Sequence, residues 1–299
     1  MKKIIITGSN GLLGQTLVNL LLEDKGKYDV IGFSRGGNRS GRADFKYESI
    51  DLTDSVCLQK KILAYKPDVI VNTAAMTNVD ACEENKTACD LLNIGVVESL
   101  KAYSEENGTH LIHISTDFIF DGKKGYYKET DLANPLSYYG KSKLISEEVL
   151  KKSSVDFTIL RTILVYGKVF DMTRNNIVLW VRKMLEEKKE ITIVNDQFRM
   201  PTYVEDLAMA CKKAIDNKTL GVFNISSKEL LSIYEIARQI ADVFGLDKTL
   251  IKPISTETLN QVAPRPAKTG FDLAKTNKEL GIFPKVFKED LQKFKEKLM

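Results

Sequence analysis

An open parallel α/β sheet, wound on both faces by helices and followed by a smaller C-terminal lobe, is the architecture expected of this 299-residue sequence. Short apolar runs alternate with amphipathic stretches through the first half. The runs are too apolar for a sheet with one wet face, which indicates parallel strands covered on both sides. From about Leu164 the alternation loses its regularity, and a second lobe is expected there.

In order, "KIIIT" reads as a strand, "LLGQTLVNLLLED" as a helix and "YDVIGFS" as a strand. "CLQKKILAYK", "DVIVNTAA" and "ACDLLNIGVVESLKAYSEEN" follow as helix, strand and helix, then "HLIHIST" as a strand, "SKLISEEVLKK" as a helix and "FTILRT" as a strand. Beyond them lie an insertion, "KVFDMTRNN", a helix "IVLWVRKMLEEKK", a strand "ITIV" and a last third of short helices. Residues 1–164 are expected to form the first domain, with 200–225 returning to it, and 165–199 with 226–299 to form the smaller lobe.

Charge narrows the partners. Basic residues number 44 and acidic ones 40, with no block of like charge and no RNA-binding aromatic signature, so a nucleic-acid partner is not expected. Before Thr7 and Gly8 only Ile4, Ile5 and Ile6 run together, too few for a signal-peptide core or a membrane span, and a cytoplasmic protein is expected. Cys57, Cys82, Cys89 and Cys211 form no CxxC pair and read as packing residues. His110 and His113, three apart on a strand, point to opposite faces; they share no metal and read as packing residues. No metal site is expected.

Gly8, Gly11 and Gly14 in "TGSNGLLG" stand between the first strand and the first helix, where a tight turn lets backbone N–H groups approach a pyrophosphate. The sheet is therefore read as Rossmann-type. At the end of the second strand, where an acidic residue would bind a ribose 2′-hydroxyl, stand Ser34 and Arg35. A hydroxyl and a guanidinium suit a 2′-phosphate, so NADP is favoured over NAD. Arg39 and Arg42 add to the positive field there or, in the glycine-rich loop "GGNRSGR", read as mobile surface charges. Asp51 and Leu52 are placed to meet the adenine, and the alternative for Asp51 is a helix cap.

"NPLSYYGKSK" carries the candidate chemistry. With Pro135 as the start of a helix over about 136 to 152, Tyr139 and Lys143 share a face, whereas Tyr138 has Ser142 at that spacing and is assigned to packing. A phenol near an ammonium, with a positive nicotinamide beside it, is the general acid that ketone reduction needs. Ser115, Thr116 and Asp117, at the C-terminal end of the fifth strand, are candidates to hold the carbonyl oxygen.

Taken with "NTAAMTNVDACE", "STDFIFDG", "RTILVYG" and "NDQFRMPTYVEDLA", these segments resemble an extended short-chain dehydrogenase/reductase over nearly the whole chain, most closely the dTDP-4-dehydrorhamnose reductase branch. The resemblance implies that Thr116 bonds the carbonyl, Tyr139 transfers the proton and Lys143 binds the nicotinamide ribose and lowers the phenol pKa. It assigns Gly11, Leu12, Leu13, Asp51, Leu52, Ala74, Ala75 and Met76 to the cofactor, and Thr116 and Asp117 to the sugar. Arg199 and Arg265 match arginines for a substrate diphosphate, and an inter-lobe salt bridge is the equal alternative for each. Some relatives are dimers that use magnesium, which leaves a homodimer open.

Two departures change the sugar pocket. Phe118 and Leu164 stand where such reductases carry Tyr and Trp, and the insertion is longer than usual. Asp117 is followed by Phe118, not by the Glu of a dehydratase. The chain also resembles the regulatory β subunit of methionine adenosyltransferase, which binds NADP and works through a partner. The sequence thus supports an NADPH-dependent reductase of a nucleotide sugar first, and a regulatory nucleotide-binding subunit second.

Overall fold

The computed structural model describes residues 1–172, 175–259 and 261–298; Thr173 and Arg174 of the insertion lie outside the described residues. Seven strands form the main sheet: β1 (Lys2–Thr7), β2 (Tyr28–Ser34), β3 (Lys46–Ser49), β4 (Val69–Asn72), β5 (His110–Thr116), β6 (Phe157–Thr162) and β7 (Gly221–Ile225). Their order is β7-β6-β5-β4-β1-β2-β3 and every pairing is parallel. The expected doubly wound Rossmann-type sheet is the one observed.

Strand periodicity explains why this sheet needs helices on both faces. Ile4 and Ile6 enter one core cluster and Ile5 the other, all three with no exposed surface. The first cluster takes Leu17 and Leu21 of α1 (Leu12–Glu23) together with Ala208, Cys211 and Ile215 of the helix that precedes β7. The second takes Leu58 and Ile62 of α2 (Ser55–Tyr65) and Val96, Val97 and Leu100 of α3 (Val96–Asn107). Each fully buried Ile contributes about 1.5–3 kcal/mol. A one-residue slip would exchange the two cores.

The helix of the "SYYGKSK" segment is α4 (Tyr138–Lys151). Its start differs from the Asn134-Pro135 expected: Ser137 is the N-cap, accepting from Gly140 N at 3.2 Å. A hydroxyl satisfies an orphan N–H that proline only tolerates. Asn134 N instead donates to Ile119 O.

The smaller lobe is built on a four-stranded sheet, ordered Leu231–Ser232, Phe198–Arg199, Lys268–Phe271, Gly125–Tyr127. The last of these comes from the first half of the chain. Helices Ile177–Glu186, Ile233–Phe244 and Phe287–Leu298 complete the lobe, and their buried residues join the core on the α1 side of the main sheet. Tyr166 and Tyr203 stack there, with Phe287 and Phe294 edge-on to Tyr166. Among the described residues no helix is long and apolar enough to cross a membrane.

Candidate active site

A cleft of about 1190 Å³ lies along the C-terminal ends of the main strands and reaches the smaller lobe. Gly8, Gly11, Leu12 and Leu13 form one wall. Gly14 stands behind them, where a Cβ would come within 2.3 Å of Gly8 O, so α1 can start this close to the loop only with glycine. Gly11 is the N-cap of α1 and offers no side chain, which leaves the first N–H groups of the helix to the cleft.

Ser34 and Arg35 line the same cleft at the end of β2, and Asp51, Leu52, Ala74, Ala75 and Met76 continue its wall. Asp51 is no helix cap. It accepts from Thr53 N at 3.0 Å and Thr53 Oγ1 at 2.8 Å, while Asp54 caps α2. The surface arginines have carboxylate partners. Arg39 makes a two-pronged ion pair with Asp171, both contacts at 2.7 Å, and Arg42 pairs with Asp44. Asn10, which accepts from Arg39 N and donates to the carbonyls of Arg35 and Gly37, organises this loop.

At the chemical end, Gly140 allows the first turn of α4 to meet β5: a Cβ there would stand 2.2 Å from Phe118 O. Tyr139 thereby joins Thr116 in the wall of the cleft, and its ring meets Phe118 edge-on at 5.7 Å. Thr116 Oγ1 donates to Asp117 Oδ1 at 3.1 Å. Ser115 is excluded from this chemistry. Its hydroxyl donates to Glu147 Oε1 at 2.6 Å, and Glu147 is gripped by Arg161 Nε at 2.9 Å and Nη2 at 2.7 Å. Tyr138 does more than pack: its hydroxyl donates to Asp90 Oδ2 at 2.7 Å and is pushed up to about 12 by that carboxylate.

Burial governs the protonation of the pair. It pushes the Tyr139 phenol above its ordinary value and drives the Lys143 ammonium down to about 7. The same desolvation that raises a phenol disfavours the cation meant to lower it, so a further positive charge is needed beside them.

The lysine has a partner the sequence reading missed. His113 Nε2 stands 2.9 Å from Lys143 Nζ, with Ser146 Oγ at 3.0 Å and Asn72 Nδ2 at 3.1 Å from Nδ1. A polar ring in the otherwise apolar strand "HLIHIS" was the available signal, because a buried imidazole needs partners. His110 does point to the other face, where it meets Thr158. Asn93, also unremarked, holds the Met76 backbone through Oδ1 and Nδ2 from a π-bulge at Leu91–Gly95.

Arg199 and Arg265 line the cleft and are both paired across the lobes. Arg199 Nε is 3.7 Å from Asp117 Oδ2, and its Nη atoms donate to the carbonyls of Phe198, Pro266 and Ala267. Asp117 is buried, accepts from Thr269, and is pushed up by desolvation against the pull of Arg199. Arg265 Nη2 meets Asp80 Oδ2 at 2.7 Å and holds that carboxyl below its usual range. Leu164 lines the cleft with φ +43°, a strained conformation for a residue with a Cβ. Among the described residues no His, Cys, Asp and Glu cluster could hold a metal ion.

The family model for the RmlD substrate binding domain matches residues 1–299. The chain belongs to that family. The RmlD-type chain is 33% identical over 296 residues to the spore coat polysaccharide biosynthesis protein SpsK of Bacillus subtilis, covering 98% of this chain and 97% of SpsK. It is 30% identical to methionine adenosyltransferase 2 subunit beta of Xenopus laevis, covering 93% of this chain and 82% of that protein. Among solved structures, the dTDP-4-dehydrorhamnose reductase of Bacillus anthracis in complex with NADP superposes with a TM-score of 0.87 at 28% identity, over 99% of this chain and 100% of that one. The chain is thus similar both to a dTDP-4-dehydrorhamnose reductase and to a methionine adenosyltransferase subunit beta.

Proposed function

We propose that this protein is an NADPH-dependent reductase of a nucleoside-diphosphate 4-keto-6-deoxysugar. The observation that carries the reading is the convergence of Thr116, Tyr139 and Lys143 in the cleft that begins at the glycine loop. A binding module has no chemical need for all three. Their neighbours fit the cofactor: the Gly8–Gly14 approach leaves room for a pyrophosphate, and Ser34 and Arg35 offer a hydroxyl and a guanidinium to a 2′-phosphate. When bound, NADPH supplies the hydride that reduces C4.

In this reading Thr116 donates to the C4 oxygen, Tyr139 delivers its proton to that oxygen, and Lys143 holds the nicotinamide ribose. The smaller lobe, residues 165–199 and 226–299, binds the sugar nucleotide. Arg199 and Arg265 would meet its diphosphate by exchanging one anionic partner for another. Phe118 and Leu164 shape the sugar pocket, which an aromatic and an aliphatic wall make less polar than a Tyr and Trp would.

NADPH consumption against a panel of dTDP-, GDP- and UDP-linked 4-keto sugars tests the proposal, with turnover of at least one expected. The similarity to the methionine adenosyltransferase subunit supports a second reading, a regulatory NADP-binding subunit without turnover. Binding of NADPH with no reduction of any sugar in the panel, together with altered activity of an added methionine adenosyltransferase, would establish it instead.

A further inference from the structure

The imidazole of His113 is 1% exposed and closes a line of contacts beneath the cleft. Thr7 Oγ1, at the end of β1, donates to Asn72 Oδ1 on β4 at 2.6 Å; Asn72 Nδ2 meets His113 Nδ1 on β5; and His113 Nε2 meets Lys143 Nζ on α4. We propose that His113 is a positioning residue for the reduction. It holds Nζ at the cleft floor through Nε2, and its tautomer, set by Asn72 and Thr7, determines whether that amino group donates or accepts there.

Donor counting gives the reason. With Thr7 donating to Oδ1, the amide presents its NH2 to the ring, and an NH2 only donates. Nδ1 must then accept, which puts the proton of a neutral imidazole on Nε2. An ammonium has no lone pair, so Nε2–H can bond to Nζ only when Lys143 is the free amine. Ser146 Oγ shares that proton, since its own goes to Lys143 O at 2.7 Å.

Turning the amide reverses each role. Oδ1 then accepts Nδ1–H, the Nε2 lone pair receives a proton of the ammonium, and Asn72 Nδ2 donates to Thr7. The two arrangements fill the same space and differ by one proton on Lys143.

The surroundings allow the lysine to be the group that changes. Facing Lys143 are Glu147 and Tyr139 from its own helix, Cys89 from the helix Lys86–Asp90, and His113 from β5. Glu147 is already engaged by Arg161, Lys151 and Ser115. Burial holds His113 well below its ordinary value, with Lys143 the one charged neighbour that acts on it, so the ring stays neutral while the lysine titrates around 7. A carboxylate in place of this neutral ring would lock the ammonium on.

The chain contains two histidines, so imidazole 15N resonances can be assigned with a His110→Gln variant. In the unmodified protein the His113 Nδ1 and Nε2 resonances are expected to exchange protonated and unprotonated character between about pH 6 and 9, and Lys143→Met to abolish that inflection. Resonances that do not move in this range, or an inflection that survives Lys143→Met, overturn the proposal.

Kinetics supply the second arm, which rests on the reductase reading. His113→Phe is expected to lower kcat about 10- to 100-fold, leaving KM for the sugar nucleotide in place, and His113→Gln to restore most of the rate. Asn72→Asp fixes the proton on Nδ1 and should move the pH limb of Lys143 upward; an unmoved or lowered limb counts against the assignment even where His113→Phe does not fold. Failure of the unmodified protein to reduce any sugar in the panel would defeat the reductase reading, while the 15N titration would still decide the role of His113.

Discussion

Thr116, Tyr139 and Lys143 stand on a strand end and the first turns of one helix, whereas Arg199 and Arg265 reach the same cleft from the smaller lobe already paired with Asp117 and Asp80. The chemical end stands on regular elements, β5 and α4. The arginines proposed for the diphosphate are held by ion pairs that an anionic ligand would have to displace. Groups that act on a transition state gain from fixed geometry, while groups that recognise a charged substrate can exchange one carboxylate for a phosphate.

The comparison is tested most severely by Tyr139→Phe, which removes one oxygen and keeps the ring. General-acid loss is expected to lower kcat by ~10² to 10⁴ with NADPH affinity largely kept, as read by steady-state kinetics and fluorescence titration. Equal rates in variant and unmodified protein would remove Tyr139 from the chemistry.

At the other end, Arg265→Ala should raise KM for a sugar nucleotide about 10- to 100-fold, the scale of one charge-assisted contact. Asp80→Asn should act oppositely and lower KM, because the guanidinium no longer has to leave a carboxylate. If both variants instead lower Tm and leave KM alone, Arg265 is a lobe tie and nothing more.

Arg35→Ala should erase most of the preference for NADPH over NADH, on the order of 1–3 kcal/mol, in paired titrations. Equal affinity of the unmodified protein for both cofactors would contradict this assignment.

Burial of Lys143 gives a signed pH dependence. Between about 7 in the fold and 10.5 in the unfolded chain, the unfolded state binds more protons at this residue. Its contribution to stability therefore rises as pH climbs through that window. Lys143→Met should raise Tm at neutral pH, and the gain should shrink toward pH 10 while activity is lost throughout. A gain that does not depend on pH would mean that packing, not charge burial, limits stability there.

Tyr138→Phe should show the smallest change, within about 1 kcal/mol of stability for one partly exposed hydrogen bond to Asp90, and no change in kcat. A loss comparable to that of Tyr139→Phe would mean that the two neighbouring phenols have been assigned the wrong way round.

Much of the chemical end was legible because its information is local. The strand-glycine-helix succession and the four-residue step from Tyr139 to Lys143 on one helix face need only the periodicities of strand and helix. The register of α4 could be read although its cap could not, since Ser137 competes with Pro135 only once the chain before it is seen to run extended. The misread residues share a different property. Ser115, Tyr138 and His113 each have a partner far away in sequence, at 32, 48 and 30 positions.

By itself the sequence determined the parallel sheet, because Ile4, Ile5 and Ile6 can be buried together only between two layers of helix, and it determined the nucleotide loop and the Tyr-Lys pair, because backbone geometry fixes what stands three or four residues away. Tertiary structure decided the rest. Only packing sets β5 against α4 closely enough for a histidine of one to meet the lysine of the other, and only the meeting of the lobes gives Arg199 and Arg265 their carboxylates. Hydrogen bonds and ion pairs act over a few ångströms in space and are indifferent to separation along the chain.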